Sequence, residues 1–213
     1  MKEEDFIEHL FIASTHDYML FFTDTGITHW LKVHEIPEGG KLSKGKAIIN
    51  LLQLATGGKI TAFVPVREFK EGFFLMMATK TGNIKKTALT AYSNPRKGGI
   101  IGMGLEKGDE LIEVQLTNGD DEILLATKTG KAIRFKESQI REMGRAAKGV
   151  RGIRLGKNDI CIAMEIVRPD QTVLTVTGQG FGKRTSFKEY RLQSRGGKGI
   201  INIKVTGKNG EAV

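Results

Sequence analysis

Short apolar runs separated by glycine-containing turns follow one another along almost the whole chain. Each run is roughly five residues long and rich in β-branched or aromatic side chains, which is typical of β-strands. Beyond residue 10, no stretch keeps the spacing of an amphipathic helix over a helical length. The pattern therefore predicts an all-β protein, with one or two helical turns confined to residues 2–10.

The runs group into four similar units. In the first unit they cover residues 10–14, 18–23, 27–33 and 48–54, and the same four-run order returns about every 50 residues. The units are predicted at about 10–54, 60–105, 110–155 and 160–205, within a single domain or part of one over residues 1–213. Four short strands per unit are typical of the blades of a propeller-like array.

Two glycine columns keep the same period. A threonine stands three positions before each turn glycine, and an apolar residue stands six positions before it. The turn glycines are Gly26, Gly82, Gly130 and Gly180. The loop glycines follow basic or glycine-rich runs and are Gly45, Gly99, Gly149 and Gly199. Glycine in the first column fits a hairpin turn, which often needs a positive φ.

Composition narrows the possible partners. The 213 residues include 33 lysines and arginines against 24 acids, a formal charge of +9, which favours an acidic or polyanionic partner. No apolar run approaches the roughly 18 residues of a membrane helix, and the amino end is acidic where a secretory signal would be basic. We therefore expect a cytoplasmic protein without a membrane partner. The single Cys161 lies in an apolar run and is predicted to be a core thiol.

The basic residues concentrate in two places of each unit, the hairpin after the turn glycine and the long loop before the loop glycine. Equivalent positions of rotationally related blades share one rim, so these charges would form a curved belt. Such a belt suits the phosphates of a bent duplex and does not require contacts to base edges. The predicted DNA-binding residues are Lys41, Lys44, Lys85, Lys86, Arg96, Lys97, Arg134, Arg145, Lys148, Arg151, Lys183, Arg184, Arg191, Arg195 and Lys198.

Other chemistry is weakly supported. Residues 178–185 contain several glycines and a lysine, but their spacing departs from a phosphate-binding loop and no helix follows, so a hairpin turn is predicted. The four histidines show no zinc-type spacing, and no metal or cofactor is predicted. The acids at 120–122 lack a neighbouring nucleophile and base, so no catalytic residue is assigned. Trp30 is interpreted as packing or rim surface.

One loop and three strings carry a family resemblance. The box-like loop consists of Gln193, Ser194, Arg195, Gly196, Gly197, Lys198 and Gly199. Together with residues 2–7, 135–138 and 149–155, it resembles the carboxy-terminal domain of the DNA gyrase A protein. The resemblance runs from end to end of the chain. Ser194 departs from it, because the family's signature has a second arginine at this position.

The resemblance implies a six-bladed β-pinwheel whose blades exchange strands and whose basic rim wraps double-stranded DNA. It also implies that the chain is non-catalytic by itself and works with the rest of gyrase A and with gyrase B in an A2B2 enzyme of the bacterial cytoplasm, near the nucleoid. There the domain would support ATP-dependent negative supercoiling. Only four units are found, and the box lies in the fourth rather than the first, so an internal fragment is expected.

Three other functions are weighed against the pattern of strands and charges. The DNA-binding domain of a topoisomerase IV-type protein has fewer blades and degenerate boxes. A basic propeller scaffold for an acidic protein would concentrate its charges in one or two blades, whereas here they are spread over the units. A hydrolytic propeller enzyme would need acids or a metal converging at the axis, and the sequence indicates neither.

Overall fold

The computed structural model describes residues 10–40, 43–54 and 58–213. These residues form fourteen β-strands and short 3-10 turns, with no α-helix in the described part of the chain. The strands are β1 (Tyr18–Thr23), β2 (Ile27–Lys32), β3 (Ile60–Val66), β4 (Phe74–Thr79), β5 (Asn83–Ala88), β6 (Ile100–Ile101), β7 (Leu111–Thr117), β8 (Glu122–Thr127), β9 (Lys131–Lys136), β10 (Val150–Arg151), β11 (Cys161–Ile166), β12 (Thr172–Val176), β13 (Gly182–Ser186) and β14 (Ile200–Ile201).

The strands assemble into four antiparallel sheets. Three sheets have four strands each, in the orders β3-β1-β2-β6, β10-β5-β4-β7 and β11-β8-β9-β14, and the fourth pairs β12 with β13. Strands β3, β7 and β11 lie next to one another and so form the inner side of the array. Strands β6, β10 and β14 form its outer edge. The architecture is the predicted all-β pinwheel.

Each four-stranded sheet draws on two sequence units. Strand β6 lies between β5 and β7 in the chain, yet it pairs with β2 of the preceding sheet, with Thr28 opposite Ile100. Strands β10 and β14 reach back to β5 and β9 in the same way. The exchange places the end of one repeat on the outer edge of the blade before it, so the blades are linked through their edges.

A glycine forms the turn of each hairpin, and in three of the four hairpins a threonine caps the turn. All four turn glycines have positive φ, between 77° and 83°. The threonine three positions earlier, in β1, β4 and β8, uses its Oγ1 to accept a hydrogen bond from the first residue of the returning strand. The acceptors and donors are Thr23 with Ile27 N, Thr79 with Asn83 N, and Thr127 with Lys131 N. This local chemistry explains the two recurring spacings in the repeat.

The core lies between successive sheets. Leu20 and Phe22 of β1 pack in one cluster with Leu75 and Met77 of β4. The apolar column that begins with Leu20 continues at Met76 and Leu124, both buried, but ends at Leu174, which is 67% exposed on β12. The last position differs because no sheet covers that face of β12 among the described residues.

Two predicted strands of the first unit are wrong. Residues 10–14 are irregular, and the run at 48–54 begins with a 3-10 turn at Ile48–Asn50 instead of a strand. The isoleucines of this turn are exposed, so no sheet fixes an extended conformation there. The predicted helical turns at 2–10 and the string 2–7 lie outside the described residues, apart from the irregular Leu10.

Two other predictions of local structure are confirmed, for Cys161 and for residues 178–185. Cys161 is 1% exposed, and its burial raises the pKa of the thiol to about 12. Residues 178–185 form the turn and most of the second strand of the β12–β13 hairpin, as predicted, and not a nucleotide-binding loop. Among the described residues, no helix has the length and apolar character needed to cross a membrane.

Candidate nucleic-acid interface

Three loops carry the basic residues of the outer edge. We call residues 93–99, 141–149 and 191–199 the outer loops, and we call these loops together with β6, β10 and β14 the rim. Each outer loop ends directly before one outer strand, at Gly99, Gly149 or Gly199. All three glycines have positive φ. The strand exchange therefore brings loops that are about 50 residues apart in sequence onto one edge of the array.

Most predicted DNA-binding residues are exposed. Each outer loop presents at least one exposed basic side chain, at Arg96 and Lys97, at Lys148, and at Arg191 and Lys198. The Lys148 ammonium lies 2.9 Å from the Glu106 carboxylate, but both side chains are more than half exposed, and such pairs contribute little. The other exposed members of the predicted set are Lys44, Arg151, Lys183 and Arg184, whereas Arg145 is half-buried. Lys41 lies outside the described residues.

Lys85 and Lys86 do not belong to an exposed surface. Lys85 is fully buried, and its Nζ donates hydrogen bonds of 2.6 Å to the carbonyl oxygens of Gly102 and Arg145. Burial, reinforced by Arg145, lowers the pKa of Lys85 to about 7. Lys86 is 8% exposed, with its ammonium over the Phe74 ring and 3.9 Å from the Glu137 carboxylate. The prediction that these two lysines contact DNA is wrong, because neither can reach a phosphate.

Arg134 is committed to protein contacts. Its Nε donates to Glu122 Oε2 at 2.6 Å, and its Nη1 donates to the carbonyl oxygens of Phe187 and Tyr190 at 2.8 and 3.2 Å. These acceptors include the 3-10 turn that leads into the third outer loop. The structure thus gives Arg134 a role in joining two blades, which the sequence did not indicate.

The box-like loop is attached to its neighbours by many backbone bonds. Gln193 N donates to the carbonyl oxygen of Arg134 at 2.8 Å, and Gly196 N donates to that of Gly152 at 2.6 Å. The half-buried Arg195 donates through its side chain to the carbonyl oxygens of Gln139 and Arg151, at 3.0 and 3.1 Å. Lys198 remains exposed. Within this loop, Arg195 is therefore held in backbone contacts, whereas Lys198 is accessible to a partner.

Three further exposed basic residues lie on or beside the rim, Arg141 inside the second outer loop and two others just beyond the outer strands. Arg154 and Lys204 occupy the same repeat position, five residues after a loop glycine, and both are exposed just beyond an outer strand. The sequence contains the signal, since both follow the period, but the equivalent residue in the second unit is Gly104 and the column looks uncharged there. The outer edge thus carries more exposed positive charge than the predicted DNA-binding residues alone would give it.

The hairpin turns are pinned by acids that sequence reasoning did not single out. Asp109 accepts hydrogen bonds from the backbone N and the Oγ1 of Thr81, at 3.0 and 2.6 Å. Asp159 does the same for Thr129, at 2.9 and 2.6 Å. Both acids therefore serve the fold. Within the described ranges, no group of three or more metal-ligating side chains converges.

Comparison with known proteins identifies relatives. The family model described as "DNA gyrase C-terminal domain, beta-propeller" matches residues 17–67, 74–118, 121–168 and 171–213. The DNA gyrase A protein of Salmonella typhimurium is 51% identical over 151 residues, which cover 71% of this chain and 17% of that protein. The DNA gyrase A protein of Clostridium acetobutylicum is 49% identical over 150 residues, covering 70% of this chain and 18% of that protein. The chain thus matches less than a fifth of each relative.

Two solved structures share the fold. The C-terminal domain of DNA topoisomerase IV superposes with a TM-score of 0.84 at 27% sequence identity, over 93% of this chain and 62% of that one. The C-terminal domain of DNA gyrase A superposes with a TM-score of 0.80 at 23% identity, over 94% of this chain and 65% of that one.

Proposed function

Since the chain belongs to the DNA gyrase C-terminal domain, beta-propeller, family, we propose that it binds double-stranded DNA without sequence preference and wraps it around the rim. The observation that carries the proposal is the placement of three successive outer loops on one edge, each with exposed arginine or lysine side chains. Because the loops are separated by one blade each, a duplex that follows them must bend.

The energetics of such binding are favourable. Smooth bending of a 20–30 bp duplex by 40–90° costs on the order of 1–6 kcal/mol. Each phosphate that a lysine or arginine neutralises releases condensed counterions, and many contacts together offset the bending. The exposed rim residues end in flexible charged groups suited to phosphate oxygens, which carry no direct sequence information.

The wider role rests on the relatives. As part of a gyrase A protein, the chain would present wrapped DNA to the cleavage core and thereby support ATP-dependent negative supercoiling. Its protein partners would be the rest of gyrase A and gyrase B, in an A2B2 enzyme of the bacterial cytoplasm near the nucleoid. In this role the chain is non-catalytic, because it supplies a curved binding surface to active sites elsewhere in the enzyme.

The first test is binding to 20 bp and 150 bp duplexes, measured by fluorescence anisotropy over a salt series. If about 6–10 phosphates are contacted, affinity for the long duplex falls roughly 10³- to 10⁵-fold between 50 and 200 mM salt. A variant with Lys97→Gln and Lys198→Gln should lose about 0.9 from the slope of log affinity against log salt for each lost contact. Lys70→Gln is the control, since Lys70 is exposed in the turn between β3 and β4 and pairs with Glu68. Absence of binding at low salt would refute the proposal.

A second candidate is a DNA-binding domain of the topoisomerase IV type. It is favoured by the superposition on the C-terminal domain of DNA topoisomerase IV. The end-to-end distance of a bound 150 bp duplex, measured by atomic force microscopy, separates the two candidates. Wrapping should bring the ends closer on binding, whereas binding with unchanged end-to-end distance favours the second candidate.

A further inference from the structure

The buried amine of Lys85 and the half-buried guanidinium of Arg195 cross-link the backbones of successive repeats. Lys85 Nζ joins the carbonyl oxygen of Gly102, just after β6, to that of Arg145 in the second outer loop. Arg195, in the third outer loop, joins the carbonyl oxygens of Arg151 on β10 and of Gln139. Each side chain therefore connects one outer loop to the outer strand of the preceding repeat, or to the residue that directly follows that strand.

The two links occupy corresponding junctions. Arg145 and Arg195 share a repeat position, four residues before their loop glycines, and a backbone bond recurs beside each link. Gly104 N donates to the carbonyl oxygen of Ala147 at 3.1 Å, and Arg154 N donates to that of Gly197 at 2.8 Å. The backbone contact is thus repeated in both junctions, while the side-chain donor comes from β5 in one case and from the loop itself in the other.

Both side chains donate two hydrogen bonds to backbone carbonyl oxygens, and the bonds from the charged guanidinium of Arg195 stabilise the contact more than neutral hydrogen bonds would. The links hold the outer loops at defined distances from one another along the rim. Bivalent contacts reinforce each other only when the geometry lets them engage together. Spacing between the outer loops therefore matters most for a long duplex, which engages several loops at once.

We propose that Lys85 and Arg195 are positioning residues, which do not contact DNA but hold successive outer loops in register with the phosphates of a bent duplex. This inference rests on the proposed function. It assigns phosphate binding in the box-like loop to Lys198 and the geometry of the loop to Arg195.

The test compares Arg195→Gln with Lys198→Gln on 20 bp and 150 bp duplexes over the same salt series. For Arg195→Gln we expect an unchanged affinity and salt slope on the short duplex, and a roughly tenfold loss on the long duplex. For Lys198→Gln we expect a slope smaller by about 0.9 on both duplexes. Arg195→Lys keeps the charge but loses the planar fork, so it should repeat the loss on the long duplex. A direct phosphate contact would instead leave Arg195→Lys like the wild type.

Amide exchange checks the mechanism. Arg195→Gln should accelerate exchange in residues 193–197, whereas Lys198→Gln should leave it unchanged. If the wild type binds neither duplex, the proposed function fails and the positioning role fails with it. If the wild type binds and Arg195→Gln behaves like Lys198→Gln, only the positioning role is overturned. A loss confined to the long duplex would not arise from general destabilisation, which lowers both affinities.

Discussion

Trp30 Nε1 donates a hydrogen bond of 2.9 Å to the carbonyl oxygen of Tyr92 and thereby ties β2 to the 3-10 turn that leads into the first outer loop. Arg134 forms the corresponding bond to Tyr190, at 3.2 Å. An indole and a guanidinium thus perform the same task, four residues after a turn glycine. This position joins blades in both places, although the sequence around Arg134 suggested a DNA contact.

Replacing Arg134 tests this joining role. Arg134→Lys keeps the charge but cannot reach Glu122 and the two carbonyl oxygens together, so the free energy of unfolding should fall by about 1–3 kcal/mol. Denaturant unfolding measures the change. Arg184→Lys is the matched control, because Arg184 holds the same repeat position on β13 but is exposed, and its effect should stay within about 0.5 kcal/mol. Equal effects of the two substitutions would contradict the joining role.

Lys85 should make stability rise with pH. Its pKa is about 7 in the folded chain and 10.5 ordinarily, so between these values the unfolded chain binds the extra proton. The free energy of unfolding should therefore increase from pH 7 to pH 9.5, by at most about 3 kcal/mol from this group. Lys85→Met should remove that increase, which urea unfolding at several pH values detects.

Lys183→Met is the control for Lys85. Lys183 holds the same repeat position on the exposed β13, although its Nζ still donates to the carbonyl oxygen of Asn202. The pH dependence of this variant should match that of the wild type. An unchanged pH profile in Lys85→Met would mean that Lys85 is protonated in the folded chain throughout this range.

Glu113 should destabilise the chain at neutral and alkaline pH. Burial, with a smaller contribution from Glu165, raises the pKa of its carboxyl to about 7, above the ordinary 4.5. The folded chain therefore retains a proton that the unfolded chain loses, and stability from this group falls as the pH rises from 4.5 through 7. Glu113→Gln should raise the free energy of unfolding at pH 8 by about 1–3 kcal/mol and have little effect at pH 4. Glu189→Gln is the control, because Glu189 is exposed, and it should leave the free energy of unfolding unchanged at both pH values.

Gly149 illustrates why a loop glycine precedes each outer strand. Its φ is +84°, and a Cβ at this position would lie 2.5 Å from the carbonyl oxygen of Ile84 on β5. Gly149→Ala should lower the free energy of unfolding by about 2–4 kcal/mol, since both the backbone and the contact are strained. A Cβ added at Gly98 would meet nothing within 4 Å, so Gly98→Ala should leave the free energy of unfolding unchanged or raise it slightly. Thermal unfolding of the two variants makes the comparison.

The sequence predicted the strands and their turns because these depend on near neighbours. The period of about 50 residues, the positive-φ glycines and the threonine caps are all local chemistry, and the apolar residue six positions before each turn glycine is buried in the first three units. The sequence did not predict the 3-10 turn at Ile48–Asn50 for the same reason: its residues favour a strand, but no sheet edge in the described part of the chain pairs with them.

The fate of each basic residue depended on tertiary packing. Lys85 and Lys183 share one repeat position, yet the first is buried under an outer loop and the second is exposed. The two lysines have the same charge and the same place in the repeat, but their burial depends on whether a neighbouring loop covers the site. Local chemistry therefore specified the blades, and the exchange of strands between them decided which cations face solvent and which hold the rim together.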